Sequence, residues 1–330
     1  MSYIESTKSY TGSELETVFF KPMLTGGAAN ELGIKLLYNM PVPTTIHHWS
    51  GKSDILQGYS QGGWTASSAN TRTQKTVDMK RVKAEMGFSA ADYFSLVFEN
   101  VATKSDIDNL DDLTGTELEA AETELFRTSI AESLRATMWA GDTTLDSGLN
   151  TFDGFLKKVA AGVDDEDIVA LTFTKGTNST PEYTQTLFAN LWDQASVSLQ
   201  AAKSEGQLAI FVTSDIYNHY EMALDAVGAE GAYVDAQTGR MKLMYHGMEV
   251  IDMQVAPYLS ALGMVDTFAF ITDKRNLVMA VNTADYPGSE IRMWYNPDEM
   301  ENRQRATFAV GCEIVDLGMI SYGSIEVEEE

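Results

Sequence analysis

Residues 126–159, FRTSIAESLRATMWAGDTTLDSGLNTFDGFLKKV, decide the reading of this chain. The stretch opens inside a helical pattern. Leu118, Ala121, Leu125, Ile130, Leu134 and Met138 recur at helical spacing with Glu and Arg between them. Thr116 followed by Glu119 fits a capping box. Glu117, Glu119, Glu122 and Glu124 crowd the end where the helix macrodipole favours anions. Gly141 is placed to close the helix as its C′ residue. The spacing predicts a helix over 116–140, roughly 36 Å long at about 1.5 Å per residue, which is long for a globular domain. Leu125, Leu134 and Met138 are expected to face the core. The chain then passes through the turn-rich GDTTLDSGLNT to Asp153-Gly154-Phe155.

Upstream, residues 1–45 read as an extended arm. The apolar run Leu15 to Leu24 is broken by Pro22, and Gly26, Gly27, Gly33, Pro41 and Pro43 follow, so no single long helix fits. Residues 46–75 form a long loop rich in Gly, Ser, Thr, Asn and Gln that nevertheless holds Trp49, Tyr59 and Trp64. Disordered segments are depleted in aromatics, so this composition points to a loop that touches something. Over 76–98, Val77, Met79, Val82, Ala84, Met86 and Phe88 alternate with polar residues, with one break at Lys80–Arg81, as in a half-buried strand. SAADYFSLVFENV continues as a short helix or strand.

Downstream, Leu187, Leu191, Trp192, Ala195 and Leu199 predict one helix over 184–203. LAIFVT (208–213) is a buried strand, Ser214 caps a helix to about Val227, and GMEVIDMQV (247–255) is a further strand. FAFIT and LVMAV flank the polar DKRN, which predicts a hairpin with its turn at Asp273–Asn276. IRMWYN (291–296), the polar PDEMENRQR and one long strand-like segment from Ala306 to Val327 complete the chain.

Composition narrows the function. The 330 residues are 44% hydrophobic and 22% charged, as in a folded protein of one large domain or two. Basic residues number 23 against 48 acidic, a net charge of −25, which disfavours sequence-specific nucleic-acid binding and anionic membrane surfaces. A single cysteine, Cys312, excludes an intrachain disulfide and a Cys-based zinc cluster. No run is apolar for long enough to span a bilayer. MSYIESTKSYTGSELE has no basic region followed by an apolar one, so synthesis in a reducing cytoplasm without a secretory signal is expected.

Motifs of chemistry are absent. Gly51-Lys52-Ser53 has the tail of a phosphate loop, but Ile46 stands where the first Gly belongs. His47 and His48 are adjacent, so one metal cannot easily take both, and His219 and His246 have no carboxylate signature beside them. The acidic run Asp106 to Asp112 fails calcium-loop spacing at Leu110. Cys312, within an apolar segment, reads as a buried structural thiol. We expect no catalytic, cofactor-binding or metal site, and no enzyme.

The order of parts resembles the major capsid protein of tailed bacteriophages, the HK97-type fold shared with encapsulins. The resemblance rests on 126–159, on LAIFVTSDIYNHYEMALDAVGAEG (208–231) with LMYHGMEVIDMQVAP (243–257), and on FAFITDKRNLVMAVN (268–282). It implies an α+β capsid fold. An N-terminal arm would span 1–45 and an extended E-loop hairpin 46–80. A peripheral domain with a long spine helix would take 81–183 and 283–330, and an α/β axial domain 184–282. It also implies a structural protein that self-assembles as hexamers and pentamers into an icosahedral virion shell. Such a shell encloses double-stranded DNA without sequence-specific contacts, is assembled in the host cytoplasm, and works with a portal and a separate scaffolding protein. Trp49, Tyr59 and Trp64 would then make contacts between subunits. Some members form an isopeptide bond between a loop Lys and an Asn, helped by a Glu. Lys52, Asn296 and Glu299 are the nearest counterparts here, and no cross-link is expected. The alternatives are an encapsulin compartment around protein cargo and, from another class, a soluble α/β enzyme or binding protein built on 184–282.

Overall fold

The computed structural model describes residues 8–10, 32–38, 44–50, 71–89, 117–146, 148–175, 181–227, 242–262, 267–282 and 290–327. The first elements are strands β1 (Lys8–Tyr10), β2 (Lys35–Tyr38), β3 (Thr44–Ser50), β4 (Thr71–Val77) and β5 (Lys80–Ser89). Helices α1 (Glu117–Ala140) and α2 (Phe155–Asp164) lead to β6 (Val169–Lys175). Next come α3 (Pro181–Asp193), α4 (Val197–Ala202), β7 (Leu208–Val212), α5 (Ser214–Val227), β8 (Met244–Tyr245), β9 (Met248–Asp252) and α6 (Ala256–Leu262). The last strands are β10 (Phe268–Asp273), β11 (Leu277–Asn282), β12 (Glu290–Asn296), β13 (Glu301–Ile314) and β14 (Ile320–Val327).

These elements make a mixed α+β fold around two six-stranded sheets and a two-stranded ribbon. In the first sheet β13 is the common partner: β5 pairs its residues 301–310, β12 its residues 301–307 and β11 its residues 309–314. β1 and β2 add to β12 and β11. The second sheet runs β6-β14-β10-β7-β9-β8. Its central strands β7 and β10 are buried throughout, as strands covered on both faces must be. Their side chains alternate between two cores. Leu208, Ile210 and Val212 join Leu187, Leu191 and Leu199 on one face, while Ala209, Phe211 and Phe270 meet α1 and α2 on the other. Trp139, fully buried, is the centre of that first core, with ring centroids 5.5 Å from Phe155 and 5.7 Å from Phe211.

The long helix lies where its periodicity predicts, and Ile130, Leu134 and Met138 are buried. Leu125 does not face the core: it is 52% exposed, and Phe126 takes its place. Buried Glu122, Phe126, Ile130, Leu134 and Met138 recur every fourth residue, a stripe that passes Leu125 by one position, about 100° around the helix. Residues 184–203 are two helices. The chain breaks after Asp193, and Ser196 caps α4 by accepting from the Leu199 N–H at 3.2 Å. Ser214 is the first residue of α5 and not its cap, because its hydroxyl donates to Asp252 at 2.8 Å.

One turn expected to close a hairpin, and one break inside a segment expected to be a single long strand, carry the chain from one sheet to the other. β10 and β11 are not a hairpin: β10 pairs with β7 and β14, β11 with β13 and β2. A short 3-10 turn, Lys274–Asn276, capped by the Asp273 carboxylate, makes that step. The segment 306–327 likewise divides at a second 3-10 turn, Leu317–Met319. Buried Asn276 ties the two crossings together. Its amide donates to the Asp316 carbonyl at 2.8 Å, and its side-chain oxygen accepts the Asp316 N–H at 2.8 Å.

Candidate assembly surfaces

β3 and β4 form an antiparallel ribbon in register from Thr44↔Val77 to Ser50↔Thr71. Its base is rooted in the first sheet. Val77 and Met79 are buried with Ala280 and Ala309, and Leu37 and Ile46 pack beside them. The break in alternation falls at Asp78–Met79, two residues earlier than expected, where the chain crosses β13 over Gly311. A Cβ on Gly311 would lie 2.5 Å from the Asp78 carbonyl oxygen, so only glycine admits that crossing. Glu313 adds an ionic anchor: its carboxylate is 2.8 Å from Lys158 of α2 and 3.9 Å from Lys75 of the ribbon.

Trp49 lies on β3 opposite Arg72. Its side chain, and both Tyr59 and Trp64, lie outside the described residues, as does Lys52. Asn296 ends β12 and accepts from the Asp298 N–H, while Glu299 pairs with Arg303. Thr116 and the segment 90–116 are likewise outside the described residues.

The joint that follows α1 is built on two glycines in backbone contact. The Gly154 N–H donates to the Gly141 carbonyl at 2.8 Å. A Cβ on Gly141 would stand 2.3 Å from the Phe152 carbonyl oxygen, and one on Gly154 would stand 2.6 Å from that of Trp139. Gly141 is therefore required for space and not as a left-handed C′ residue; its φ is not among the positive values. Lys157 closes the joint, 2.6 Å from Asp142 and 2.7 Å from Asp153. The Lys157 hydrogen bond, with two more from Thr144, holds the Asp142 pKa down at about 2. Burial works against ionisation of Asp153, but Lys157 and Thr143 outweigh it and its pKa is lowered too. Sequence order picks out Asp-Gly-Phe; the partnership of the two glycines is not visible in it.

Between α1 and β5 runs an apolar groove of ≈ 490 Å³, lined by Val82, Ala84, Met86, Phe126, Ile130 and Leu134 with Lys83 and Glu85 along it. No motif announces it, since it arises from two elements that are each half-buried. Among the described residues no group of three His, Cys, Asp or Glu could hold a metal ion. Cys312 is buried and its thiol pKa is pushed far up by desolvation. No helix among the described residues is long and apolar enough to cross a membrane.

The chain matches no family model and no curated protein. Solved structures do match it, over nearly its whole length. A subunit of the satellite phage P4 procapsid, solved with the size determination (Sid) protein, aligns with 93% of this chain and 98% of its own, at TM-score 0.59 and 9% identity. A Gordonia phage Cozz structure aligns with 92% and 87%, at TM-score 0.52 and 11% identity. The holo-SrpI encapsulin of Synechococcus elongatus PCC 7942 aligns with 88% and 84%, at TM-score 0.50 and 9% identity. The fold is the HK97-like capsid fold that phage capsid and encapsulin subunits share.

Proposed function

We propose that this chain is the repeating subunit of a protein shell, the icosahedral capsid of a tailed bacteriophage enclosing double-stranded DNA. The observation that carries the reading is the fold match to the P4 procapsid subunit across 93% of this chain. Subunits associate as hexamers and pentamers, and a portal and a separate scaffolding protein complete the particle. The chain is made and assembled in the host cytoplasm and acts structurally, not as an enzyme. Its net charge of −25 suits a wall that must not hold packaged phosphate.

The proposed division keeps the arm at 1–45, the E-loop at 46–80, the peripheral domain at 81–183 and 283–330, and the axial domain at 184–282. Shared sheets favour edges drawn elsewhere: β6 and β14 lie in one sheet with β7 and β10, and β11 lies in one with β13. Trp49, Tyr59 and Trp64 are the proposed E-loop anchors on a neighbouring subunit, where aromatic side chains tend to dominate interface energy. A two-stranded ribbon alone is marginally stable in water, which favours a neighbour for it to lie on.

Electron microscopy of the expressed protein tests the reading: closed shells are expected, and a species that stays monomeric or dimeric in all conditions overturns it. Replacing 51–70 with a short Gly-Ser linker is expected to leave a subunit that melts cooperatively yet does not assemble. Trp64→Ala should weaken the shell without unfolding the subunit. The encapsulin match favours a second reading, a compartment for protein cargo. Purified particles holding double-stranded DNA support the virus, and particles holding an enzyme support the compartment.

A further inference from the structure

Among the described residues, β6 is an outer edge of the second sheet. β6 pairs in parallel with β14, Val169↔Ser321 through Lys175↔Val327, and among the described residues nothing pairs with its other edge. Exposed edges are usually blunted by charge, proline or a bulge. β6 has none of these over its first six residues, VALTFT. Val169 is 56% exposed, and Ala170 and Thr172 are exposed beside it. Leu171 and Phe173 share the face of Val169, opposite Ala170 and Thr172, and are half-buried at the rim of the core beneath α3, where Phe173 meets Tyr183 edge-on at 6.4 Å.

We propose that β6 pairs antiparallel with β6 of a second copy of this chain, about a two-fold axis at Thr172. The occupant follows from self-complementarity. In that register Leu171 stands opposite Phe173 of the copy, twice over, on the face of the second core, and such apolar cross-strand pairs stabilise a sheet. On the other face Thr172 meets Thr172. Charge selects the same arrangement. The acidic run Asp164, Asp165, Glu166 and Asp167 precedes the strand, and its one cation, Lys175, ends it. Antiparallel pairing places each acidic run beside the copy's Lys175 end, whereas parallel pairing would align acid with acid. The contact is isologous, the form that a two-fold axis requires, and it joins two six-stranded sheets into one continuous sheet. The proposal is independent of shell formation, although a two-fold contact between capsomers is one place for it.

Cysteine scanning of the full chain tests the register, because the native Cys312 is buried and does not interfere. Opposed residues in an antiparallel pair have Cα atoms about 4.5–5.5 Å apart, within disulfide reach. Under mild oxidation Thr172→Cys is expected to give a disulfide-linked dimer in high yield. Ala170→Cys, which would stand about 14 Å from its counterpart at roughly 3.4 Å per residue, should give little. Thr172→Lys, which sets like charges opposite each other, should abolish pairing in sedimentation while leaving the thermal melt unchanged. No link at 172, or an equal link at 170, overturns the proposal. Normal shells without the 172 link remove this contact and leave the shell reading standing; linked dimers that never form shells do the reverse.

Discussion

Gly141 and Gly154 show how one missing side-chain atom can fix an architecture. Both sit where the end of α1 and the start of α2 touch through backbone, and a Cβ on either would fall within 2.7 Å of a carbonyl oxygen, at 2.3 Å and 2.6 Å. Gly154→Ala is therefore expected to cost about 1–3 kcal/mol, the range for forcing extra volume into a packed site. Gly206, with φ +69 and nothing near its Cβ position, is the control. Gly206→Ala pays only the left-handed backbone strain of about 1–2 kcal/mol and should leave the core unperturbed. Denaturant melts read the stability of both variants, and near-UV dichroism, compared with that of a Trp139→Phe background, separates them. The Asp142–Lys157 pair beside this joint makes a pH prediction. A carboxyl whose folded pKa lies below its unfolded value stabilises above that unfolded value and loses the contribution as pH falls through the folded one. For Asp142 the window runs from about pH 4 down to about 2. Its side chain is 31% exposed, so solvent screening keeps the contribution to about 0.5–1 kcal/mol. Asp142→Asn should lose that amount at pH 7 and converge with wild type near pH 2, read from urea midpoints across pH.

At the scale of elements, α1 separates face from spacing. Leu134 is 5% exposed within the first core, and Leu134→Ala is expected to cost about 2–5 kcal/mol. Leu125, 52% exposed, should tolerate alanine within about 0.5 kcal/mol in the isolated subunit. Thermal melts of the two variants distinguish these outcomes directly. The helix was legible because its stripe is a local property, and so were buried β7 and the alternation of β5. Leu125 misled because Leu118, Ala121 and Leu125 also fall at helical intervals; only packing selects the stripe through Phe126. The crossings at 273–277 and 314–320 were not legible, since a polar turn between apolar strands looks the same whether the second strand returns beside the first or enters another sheet. For the first crossing that choice is made by β13 and β14, dozens of residues away; for the second it is made by the earlier strands that β13 and β14 join. The ribbon β3–β4 was not legible in its residues, which read as a loop over 46–75; only the family resemblance implied a hairpin there, and its root on Gly311 and Glu313 depends on a contact across the fold.

Across the whole molecule, charge opposes association. Each copy carries −25, and neighbours repel unless opposite charges meet locally. The screening length falls from about 30 Å at 0.01 M to about 10 Å at 0.1 M ionic strength. Assembly, followed by light scattering, is expected to be promoted by moderate salt or divalent cations; weakening as salt rises would argue that attractive ion pairs dominate the contacts.

β13 and β14 occupy the interior of both sheets, one linking β5 to β12 and β11, the other linking β6 to β10. Both come from residues 301–327, which the ribosome delivers after every strand they join. Domains usually fold as their residues emerge, N-terminal parts first. Here β10, β7, β9 and β8 can pair early, but β5, β12 and β11 lack their common partner and β6 its link to β10 until translation has passed residue 327. Chains that stop short of Glu301 lack the partner shared by β5, β12 and β11 and the strand that joins β6 to β10, so a prematurely terminated copy is expected not to complete its fold. The order of synthesis thus makes completion of both sheets the last step in building this fold.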